Sequence, residues 1–503
     1  MSIIEAGSNN NEIVDLLKKS NDYIAQEKEK VNKEYRNNYH LMPPVGWMND
    51  PNGFVYYKGE YHLFYQFHPY DSVWGPMHWG HAKSKDLIHW EQLPVALAPT
   101  EEYELDGCFS GSAIEKDGKL YLMYTGNYSR NGIGRQVQCI AYSEDGINFE
   151  KYEGNPVIAE KEVEDNALIK DFRDPKVFKK GDLYYSVVAS KTKDERGKIL
   201  LFSSKDLLKW SFTSVLLEGN KKQGIMWECP DLFNIDGEDV LIMSPIQIPK
   251  NEYEFHNISS TVAFIGKMDW ETGKLNVENY HEIDFGLDFY APQTCIDEKN
   301  RRIMVAWMQM WERNIPTNTL KHGWAGSMTL PRELHVKNKR LVQYPISDVY
   351  QFINIDTRLS EQNLQDSKLK LKDICEENSY FKLELDIEKV NSFNLEFAKG
   401  ETEAIELGYD ANKQILTVSR EKSGHKISGI SERNTLFERS LPIISESNSL
   451  ILEIFRDTSS FEVFINHQFT VTDTFYSIEK GKDLDITAEG TLVIKSLEKG
   501  KIN

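Results

Sequence analysis

FVYYKGEYHLFYQ, residues 54–66, has the pattern of two β-strands joined by a tight turn at Gly59. Aromatic and β-branched residues fill both arms, and a glycine between two such runs is typical of a β-hairpin. The same pattern recurs four times further along the chain, in SAIEKDGKLYLMYTG (112–126), KVFKKGDLYYSVVAS (176–190), LFNIDGEDVLIMSP (232–245) and TCIDEKNRRIMVAWM (294–308). The later turns fall at Gly118, Gly181, Gly237 and Asn300.

The spacing of these hairpins predicts the fold of the first part of the chain. Successive turns are 59, 63, 56 and 63 residues apart. A turn followed by an aromatic-bearing strand comes after three of the hairpins, in SKDLIHWEQL (84–93), SEDGINFEKY (143–152) and SKDLLKWSFT (204–213). Four-stranded units that recur at a nearly constant period are typical of a β-propeller. We therefore expect five blades.

The remainder of the chain predicts two further parts, in an all-β fold. All ten tryptophans lie between Trp47 and Trp324, and the later sequence alternates polar and apolar residues as half-buried antiparallel strands do. We expect a propeller over 39–345, a C-terminal β-sandwich over 350–503 and a helical leader over 1–38. Apolar residues at helical spacing in 11–35 predict one or two amphipathic helices lying on the propeller. A partner-binding helix is the alternative for this segment.

Composition excludes several classes of partner. The 503 residues carry 59 Lys plus Arg against 78 Asp plus Glu, a net charge of −19. Nucleic acids and anionic membranes are polyanions, so we expect neither as a partner. No apolar run is long enough for a bilayer, and the N-terminal residues lack a secretory signal pattern. Five cysteines without a CxxC pair predict reduced thiols and a cytoplasmic protein, with no metal site. We expect no cofactor.

A polar residue lies just before the first strand of each blade. Asp50, Ser110, Asp174, Glu228 and Gln293 precede their turns by 9, 8, 7, 9 and 7 residues. The innermost strands of a propeller surround its axis. The near-constant offset therefore predicts that these five side chains converge at one end of the axis.

Three of the five residues are carboxylates, which suggests glycoside cleavage. One carboxyl group protonates the leaving oxygen and a second attacks the sugar or activates water, while a third stabilises developing positive charge. A turn aspartate often only caps backbone amides. Three carboxylates at corresponding places in different blades favour the catalytic interpretation. We expect the neighbouring Cys229 to be a buried, unreactive thiol.

The motifs WMNDPNG (47–53), FRDP (172–175) and ECPD (228–231), in this order, resemble those of glycoside hydrolase family 32, the β-fructofuranosidases. Further matching segments are FYQFHP (64–69), WGPMHWGH (74–81), FSGSA (109–113), DFYAPQ (288–293) and GWAGSMTLPREL (323–334). The resemblance covers essentially the whole chain and implies a five-bladed propeller followed by a β-sandwich. Within the family, the sequence looks most like the bacterial intracellular sucrose-6-phosphate hydrolases.

The resemblance implies retaining hydrolysis of sucrose 6-phosphate or sucrose, and a role for each motif residue. By motif position, Asp50 would be the nucleophile, Glu228 the general acid/base and Asp174 the transition-state stabiliser. Residues matching the family's fructosyl pocket are Asn49, Gln66, Trp74, Phe109, Ser110 and Arg173, with Trp311 as a further wall residue.

A phosphorylated substrate would need a local positive charge in this acidic protein. Arg313, Lys321, His322 and Arg332, which follow the fifth hairpin, are the candidates, with Arg313 and Lys321 the first choice. A solvated charged loop is the alternative.

Other functions stay open at this point. The same site would serve a fructan exo-hydrolase or a fructosyltransferase. The related five-bladed arabinan and xylan hydrolases would lack WMNDPNG, and a non-catalytic sugar-binding propeller would lack one of the three carboxylates. The sandwich is a candidate surface for homodimer formation or glycan binding, although its sequence offers no aromatic platform.

Overall fold

The computed structural model describes residues 10–430, 436–443 and 448–503, without the side chains of 10–15 and Glu164. Residues 1–9 of the predicted leader lie outside the described residues; its described part forms one helix, α1 (Asn10–Glu27), and is irregular beyond Glu27. Leu17, Tyr23 and Ile24 pack against the propeller core. Within the described ranges, no helix is both long and apolar enough to cross a membrane.

The propeller has five blades, as predicted. The first blade consists of β1 (Gly46–Tyr57), β2 (Glu60–His68), β3 (His78–Ser84) and β4 (Glu91–Leu97). The second consists of β5 (Gly107–Lys116), β6 (Lys119–Arg130), β7 (Ile133–Ser143) and β8 (Glu150–Lys151). The third follows the short helix α2 (Glu160–Val163) and consists of β9 (Arg173–Lys180), β10 (Leu183–Lys191), β11 (Gly197–Ser204) and β12 (Trp210–Glu218).

The fourth blade consists of β13 (Met226–Ile235), β14 (Glu238–Ile246), β15 (Val262–Asp269) and β16 (Lys274–Glu282). The fifth comprises β17 (Tyr290–Ile296), β18 (Arg302–Trp307), β21 (Arg332–Lys337) and β22 (Arg340–Pro345), and its long connection carries β19 (Arg313–Asn314), helix α3 (Pro316–Thr319) and β20 (Trp324–Ala325). β20 pairs with β1, so a segment from the fifth blade joins the first and closes the ring.

The first strands of the five blades form the wall of the central axis. β1, β5, β9, β13 and β17 contact one another in that order, and β17 contacts β1. The five turn residues found in the sequence all have positive φ, between 57° and 85°. Left-handed backbone suits a tight two-stranded turn, so each hairpin lies where its glycine or asparagine predicts it.

The C-terminal part is a β-sandwich, also as predicted. Its strands are β23 (Ile353–Leu359), β24 (Gln362–Gln365), β25 (Lys368–Leu371), β26 (Ser379–Lys399), β27 (Ala404–Asp410), β28 (Ile415–Lys422), β29 (Ser428–Gly429), β30 (Glu438–Pro442), β31 (Ser449–Arg456), β32 (Ser460–Ile465), β33 (Phe469–Thr474) and β34 (Asp483–Ile502).

Two long strands belong to both layers of the sandwich. β26 and β34 pair along their length; the first half of β26 borders β31, and its second half borders β27. Their register breaks between Asp386 and Ser392, where the chain passes from one layer to the other. Leu407 and Val463, from opposite layers, share one apolar core.

Buried ion pairs join the sandwich to the propeller. His40, which precedes β1, contacts Asp457 through Nδ1 at 2.8 Å and Glu462 through Nε2 at 2.9 Å. Arg332 of β21 pairs with Asp284 and also with Glu462 of the sandwich. Burial opposes the charge on His40, but the hydrogen bonds to its two carboxylates outweigh burial and raise its pKa to about 9.

The His40 cluster predicts a loss of stability in alkali. The folded pKa of about 9 lies above the ordinary histidine pKa of 6.5. The contribution of protonated His40 is therefore complete below pH 6.5 and is lost as pH rises through 9, a change of roughly 3 kcal/mol. We expect the free energy of unfolding, measured in urea between pH 6 and 10, to fall over this window. In His40→Gln the fall should be smaller by that amount; an identical pH profile would contradict the assignment.

Candidate active site

Every first strand of a blade carries a β-bulge at the same end of the axis. In each blade the register between the first and second strands shifts at this end. From the first blade to the fifth, the shift lies between Met48 and Pro51, between Phe109 and Gly111, between Arg173 and Lys176, between Glu228 and Asp231, and between Tyr290 and Gln293. A bulge bends its strand and re-aims a side chain. The five bulges therefore direct side chains from five blades to one place.

Three bulges contain a non-glycine residue in the left-handed region. The φ angles are 63° at Asp174, 49° at Cys229 and 52° at Ala291, and each of these residues precedes a proline. Such a conformation costs about 1–3 kcal/mol and persists where the surroundings hold it. The three "X-Pro" bulges of FRDP, ECPD and DFYAPQ are thus one structural device used in three blades.

The bulges surround a pocket of about 520 Å³. It brings together the ten residues that the sequence assigned to catalysis and sugar binding, Asn49, Asp50, Gln66, Trp74, Phe109, Ser110, Arg173, Asp174, Glu228 and Trp311. Sequence reasoning missed six further lining residues, Gln136, Ile246, Gln247, Ile258, Ser259 and Glu312.

Asp50 lies at the floor of the pocket, 9% exposed, with both oxygens hydrogen-bonded. Ser110 Oγ donates to Oδ2 at 2.8 Å and Asn49 Nδ2 donates to Oδ1 at 3.0 Å. Trp47 Nε1 donates to Asn49 Oδ1 at 2.8 Å and so fixes the amide. Burial raises the pKa of Asp50, the hydrogen bond from Asn49 opposes the rise, and the nearby charge of Glu228 adds to it.

Asp174 shares the floor with Asp50 and is held by backbone. The amide of Cys229 donates to Asp174 Oδ2 at 3.0 Å, and the amide of Asp174 donates to Thr125 Oγ1 at 3.0 Å. Burial raises the pKa of Asp174 to about 7, against the attraction of Arg173 and with the repulsion of Glu228 and Asp50. The aspartate is therefore fixed in position, and its surroundings oppose its ionisation.

Glu228 is oriented by two neighbours that reach opposite oxygens. Arg173 donates to Oε1 through Nη2 at 2.7 Å and Nε at 3.1 Å, and the Tyr290 hydroxyl donates to Oε2. Burial raises the pKa of Tyr290 well above 10, so its hydroxyl stays a donor. Gln136 Oε1 accepts from Arg173 Nη1 at 3.3 Å and completes the support. The carboxyl groups of Asp50 and Glu228 therefore have different environments, as two carboxyl groups with separate catalytic roles require.

Comparison with known proteins places the whole propeller and sandwich in one family. Residues 40–345 match the N-terminal domain of glycosyl hydrolases family 32, and residues 347–500 match the C-terminal domain of the same family. The chain belongs to glycosyl hydrolase family 32.

Relatives across the family are similar over most of their length. A sucrose-6-phosphate hydrolase from Zymomonas mobilis is 38% identical over 468 residues, 89% of this chain and 87% of that protein. The structure of a β-fructofuranosidase mutant from Bombyx mori in complex with sucrose has 34% identity and a TM-score of 0.82, covering 98% of this chain and 99% of that one. A sucrose-6-phosphate hydrolase from Lactobacillus gasseri has 26% identity and a TM-score of 0.84, with 96% of each chain covered.

In this family 32 site, the first strand of the fifth blade contributes Tyr290, which reaches Glu228, and Gln293 does not line the pocket. Gln293 lies beyond the bulge of β17, and its Nε2 donates to the carbonyl of Gly111 at 2.6 Å. Tyr290 and Glu228 both directly precede the left-handed residue of their bulges. That equivalence, together with the DFYAPQ motif, is the signal that identifies Tyr290.

Cys229 lies between the two floor carboxylates. Its Sγ is 3.6 Å from Asp50 Oδ2 and 3.7 Å from Asp174 Oδ2. Burial raises the pKa of the thiol well above 9, with the nearby carboxylates adding to the rise. The thiol therefore stays protonated and donates weakly to the carboxylates, with no nucleophilic role.

The structure places all four basic candidates for the phosphate contacts outside the residues that line this pocket. Arg313 is directed into the domain interface, where Nη1 donates to Asp288 Oδ1 at 2.7 Å. Arg332 is buried among the interdomain ion pairs. Lys321 and His322 line a separate cleft beside α1.

Proposed function

We propose that the protein is a retaining β-fructofuranosidase that hydrolyses sucrose or sucrose 6-phosphate in this pocket. The observation that carries the proposal is the meeting of Asp50, Asp174 and Glu228, from three blades, in one 520 Å³ cavity. The names of the relatives support it, since two are sucrose-6-phosphate hydrolases and one structure contains sucrose.

Asp50 is the nucleophile of the first step. Its carboxylate attacks the anomeric C2 of the fructosyl unit while Glu228 protonates the glycosidic oxygen, which leaves as the glucose hydroxyl. Donation from Ser110 and Asn49 holds the attacking carboxylate and favours its ionised form.

Asp174 stabilises the transition state. As the bond to the leaving oxygen breaks, positive charge develops at C2 and the ring oxygen, and a fixed carboxylate nearby lowers the energy of that charge. Its hydrogen bond from the Cys229 amide fixes its position, and its other oxygen is available for fructosyl hydroxyl groups.

Glu228 changes role in the second step. Having given up its proton, it takes one from water, and the hydroxide attacks C2, releasing fructose and Asp50. Arg173 and Tyr290 keep the carboxyl group in place through both steps.

The charges of the pocket favour the unphosphorylated sugar. Among the described residues that line it, Arg173 is the single cation and is paired with Glu228, whereas four carboxyl groups face the space, including Glu312 at the rim. A phosphate adds nearly two negative charges.

We expect kcat/KM for sucrose to exceed that for sucrose 6-phosphate by about tenfold at low ionic strength, because the like charges of the phosphate and the carboxyl groups repel. Initial rates of fructose release from both sugars measure the ratio. Glu312→Gln should narrow it. A preference for the phosphate would contradict this specificity, and failure to cleave either sugar would contradict the proposed function itself.

Longer β-fructosides are the second candidate substrates, because the same three carboxylates would cleave their terminal β-fructosyl bond. Product analysis on inulin and levan separates hydrolysis from transfer, since a transferase releases glucose from sucrose without equal fructose. A cytoplasmic location completes the proposal, supported by the buried, free state of Cys108, Cys139, Cys229, Cys295 and Cys375. A homodimer stays a prediction, which light scattering would check.

A further inference from the structure

One side of the rim of the pocket is formed by the start of a short segment of the fifth blade, Trp311–Asn314. Trp311 is half-buried and Glu312 is exposed, and both line the pocket. Asn49 and Asp50, 3% and 9% exposed, form the floor. Because the reacting fructosyl unit must reach the floor, the rim is the part of the pocket that meets the leaving group.

The rim segment is paired with the sandwich. β29 runs antiparallel to β19, with Arg313 opposite Gly429 and Asn314 opposite Ser428. The amide of Ile430 donates to the carbonyl of Glu312 at 3.2 Å, just beside this pair. A strand of the C-terminal domain is thus bonded directly to the pocket wall.

Side chains reinforce the backbone pairing. Asn314 Nδ2 donates to Ser428 Oγ at 2.9 Å. Ile427 packs against the apolar cluster behind the pocket, which contains Trp47 and Trp307 and is also contacted by Trp311. The sandwich segment therefore touches both the rim and the aromatic layer that supports it.

Two further features show that contacts hold the rim in a backbone conformation that it would not otherwise favour. Glu312 has a φ of 58°, the left-handed region that a non-glycine residue occupies at a cost. On its other side, Arg313 is anchored to Asp288, which also accepts from Arg420 of the sandwich. A strained residue between two fixed neighbours keeps its conformation only while both contacts last.

We infer that residues 424–430 of the sandwich, here the rim brace, position Trp311 and Glu312 and thereby set the affinity for the leaving group. The inference rests on the proposed β-fructofuranosidase function. It gives the sandwich a role in specificity while leaving the chemistry at the floor unchanged. The residues of the rim brace are positioning residues, since they act through Trp311 and Glu312.

Gly429→Ala tests the rim brace directly. A Cβ at Gly429 would lie 2.4 Å from the carbonyl oxygen of Glu312 and 3.1 Å from the Cα of Arg313, so backbone must move. Gly408→Ala is the matched control in strand β27, where the new Cβ would meet only Asn394 Oδ1, at 3.7 Å. Both variants are made in the full chain, and their melting temperatures are compared with that of the wild type.

We expect Gly429→Ala to raise KM for sucrose about fivefold or more, with kcat within about twofold of wild type. The inhibition constant of fructose, which occupies the floor alone, should stay unchanged. Gly408→Ala should match the wild type in every measurement. Ile427→Ala, which removes only side-chain packing, should raise KM in the same direction and serves if Gly429→Ala does not fold.

An unchanged KM in the folded variants would overturn the inference, and so would a fructose inhibition constant that rises together with KM. Both results leave the proposed function intact. That function fails separately, if the wild type releases no fructose from sucrose.

Discussion

Asp50→Asn should lower kcat for sucrose by about 10⁴-fold or more, because the variant lacks the nucleophile of the first step. The fold should not suffer. Burial and the charge of Glu228 raise the pKa of Asp50, so its ionised form lowers stability above that pKa. A neutral amide can accept from Ser110 but not also from Asn49, and this loss offsets the relief of the buried charge, so we expect a free energy of unfolding close to that of the wild type.

Steady-state kinetics and urea unfolding of the same preparation check both statements about Asp50→Asn. Asp117→Asn, at the exposed hairpin turn of the second blade, is the control for the same chemical change away from the pocket. Residual activity within about a hundredfold of wild type would remove Asp50 from the nucleophile's role.

Glu228→Gln should lower kcat for sucrose by about 10²–10⁴-fold, the usual contribution of a general acid. The loss should be smaller for an aryl β-fructofuranoside, whose leaving group needs no proton. With that substrate, hydrolysis of the fructosyl–enzyme becomes slow because no base activates water. Azide needs no base, so it should restore turnover and yield β-fructosyl azide.

The configuration of the azide product decides the mechanism. A β product follows from two displacements and confirms retention through Asp50, whereas an α product would indicate a single inverting step. Glu238→Gln, in the same blade but at the β13–β14 turn and paired with Lys267 and Lys339, should behave as the wild type.

The repeat in the sequence predicted the propeller because each hairpin turn is a local event. Gly59 and Asn300 adopt left-handed backbone whatever surrounds them, so their spacing counts blades directly. The carboxylates could be placed for the same reason, since Asp50, Asp174 and Glu228 lie at a nearly fixed distance from those turns.

The sequence predictions that differ from the structure concern features that residue spacing alone does not reveal. Bulges insert residues, so Gln293, at the expected offset, lies beyond the pocket, while Tyr290 reaches Glu228. Arg313 was a candidate phosphate contact, but it pairs with Asp288, which also pairs with the sandwich residue Arg420, and both residues lie far from it in sequence. Contacts between segments that are distant in sequence decide such positions, and no local sequence pattern predicts those contacts.

The long strand β34 affects the order in which the parts of the enzyme fold during translation. It pairs with β23, β24, β25 and β26, and among the described strands β23, β24 and β25 pair with no other strand, so these three lack a hydrogen-bonding neighbour until residues 483–502 have been made. The propeller, whose ring is closed by residues 324–325, has no such dependence and can assemble earlier. A nascent chain would therefore gain its carboxylate cluster first, and the finished mouth of its pocket only when the sandwich has formed.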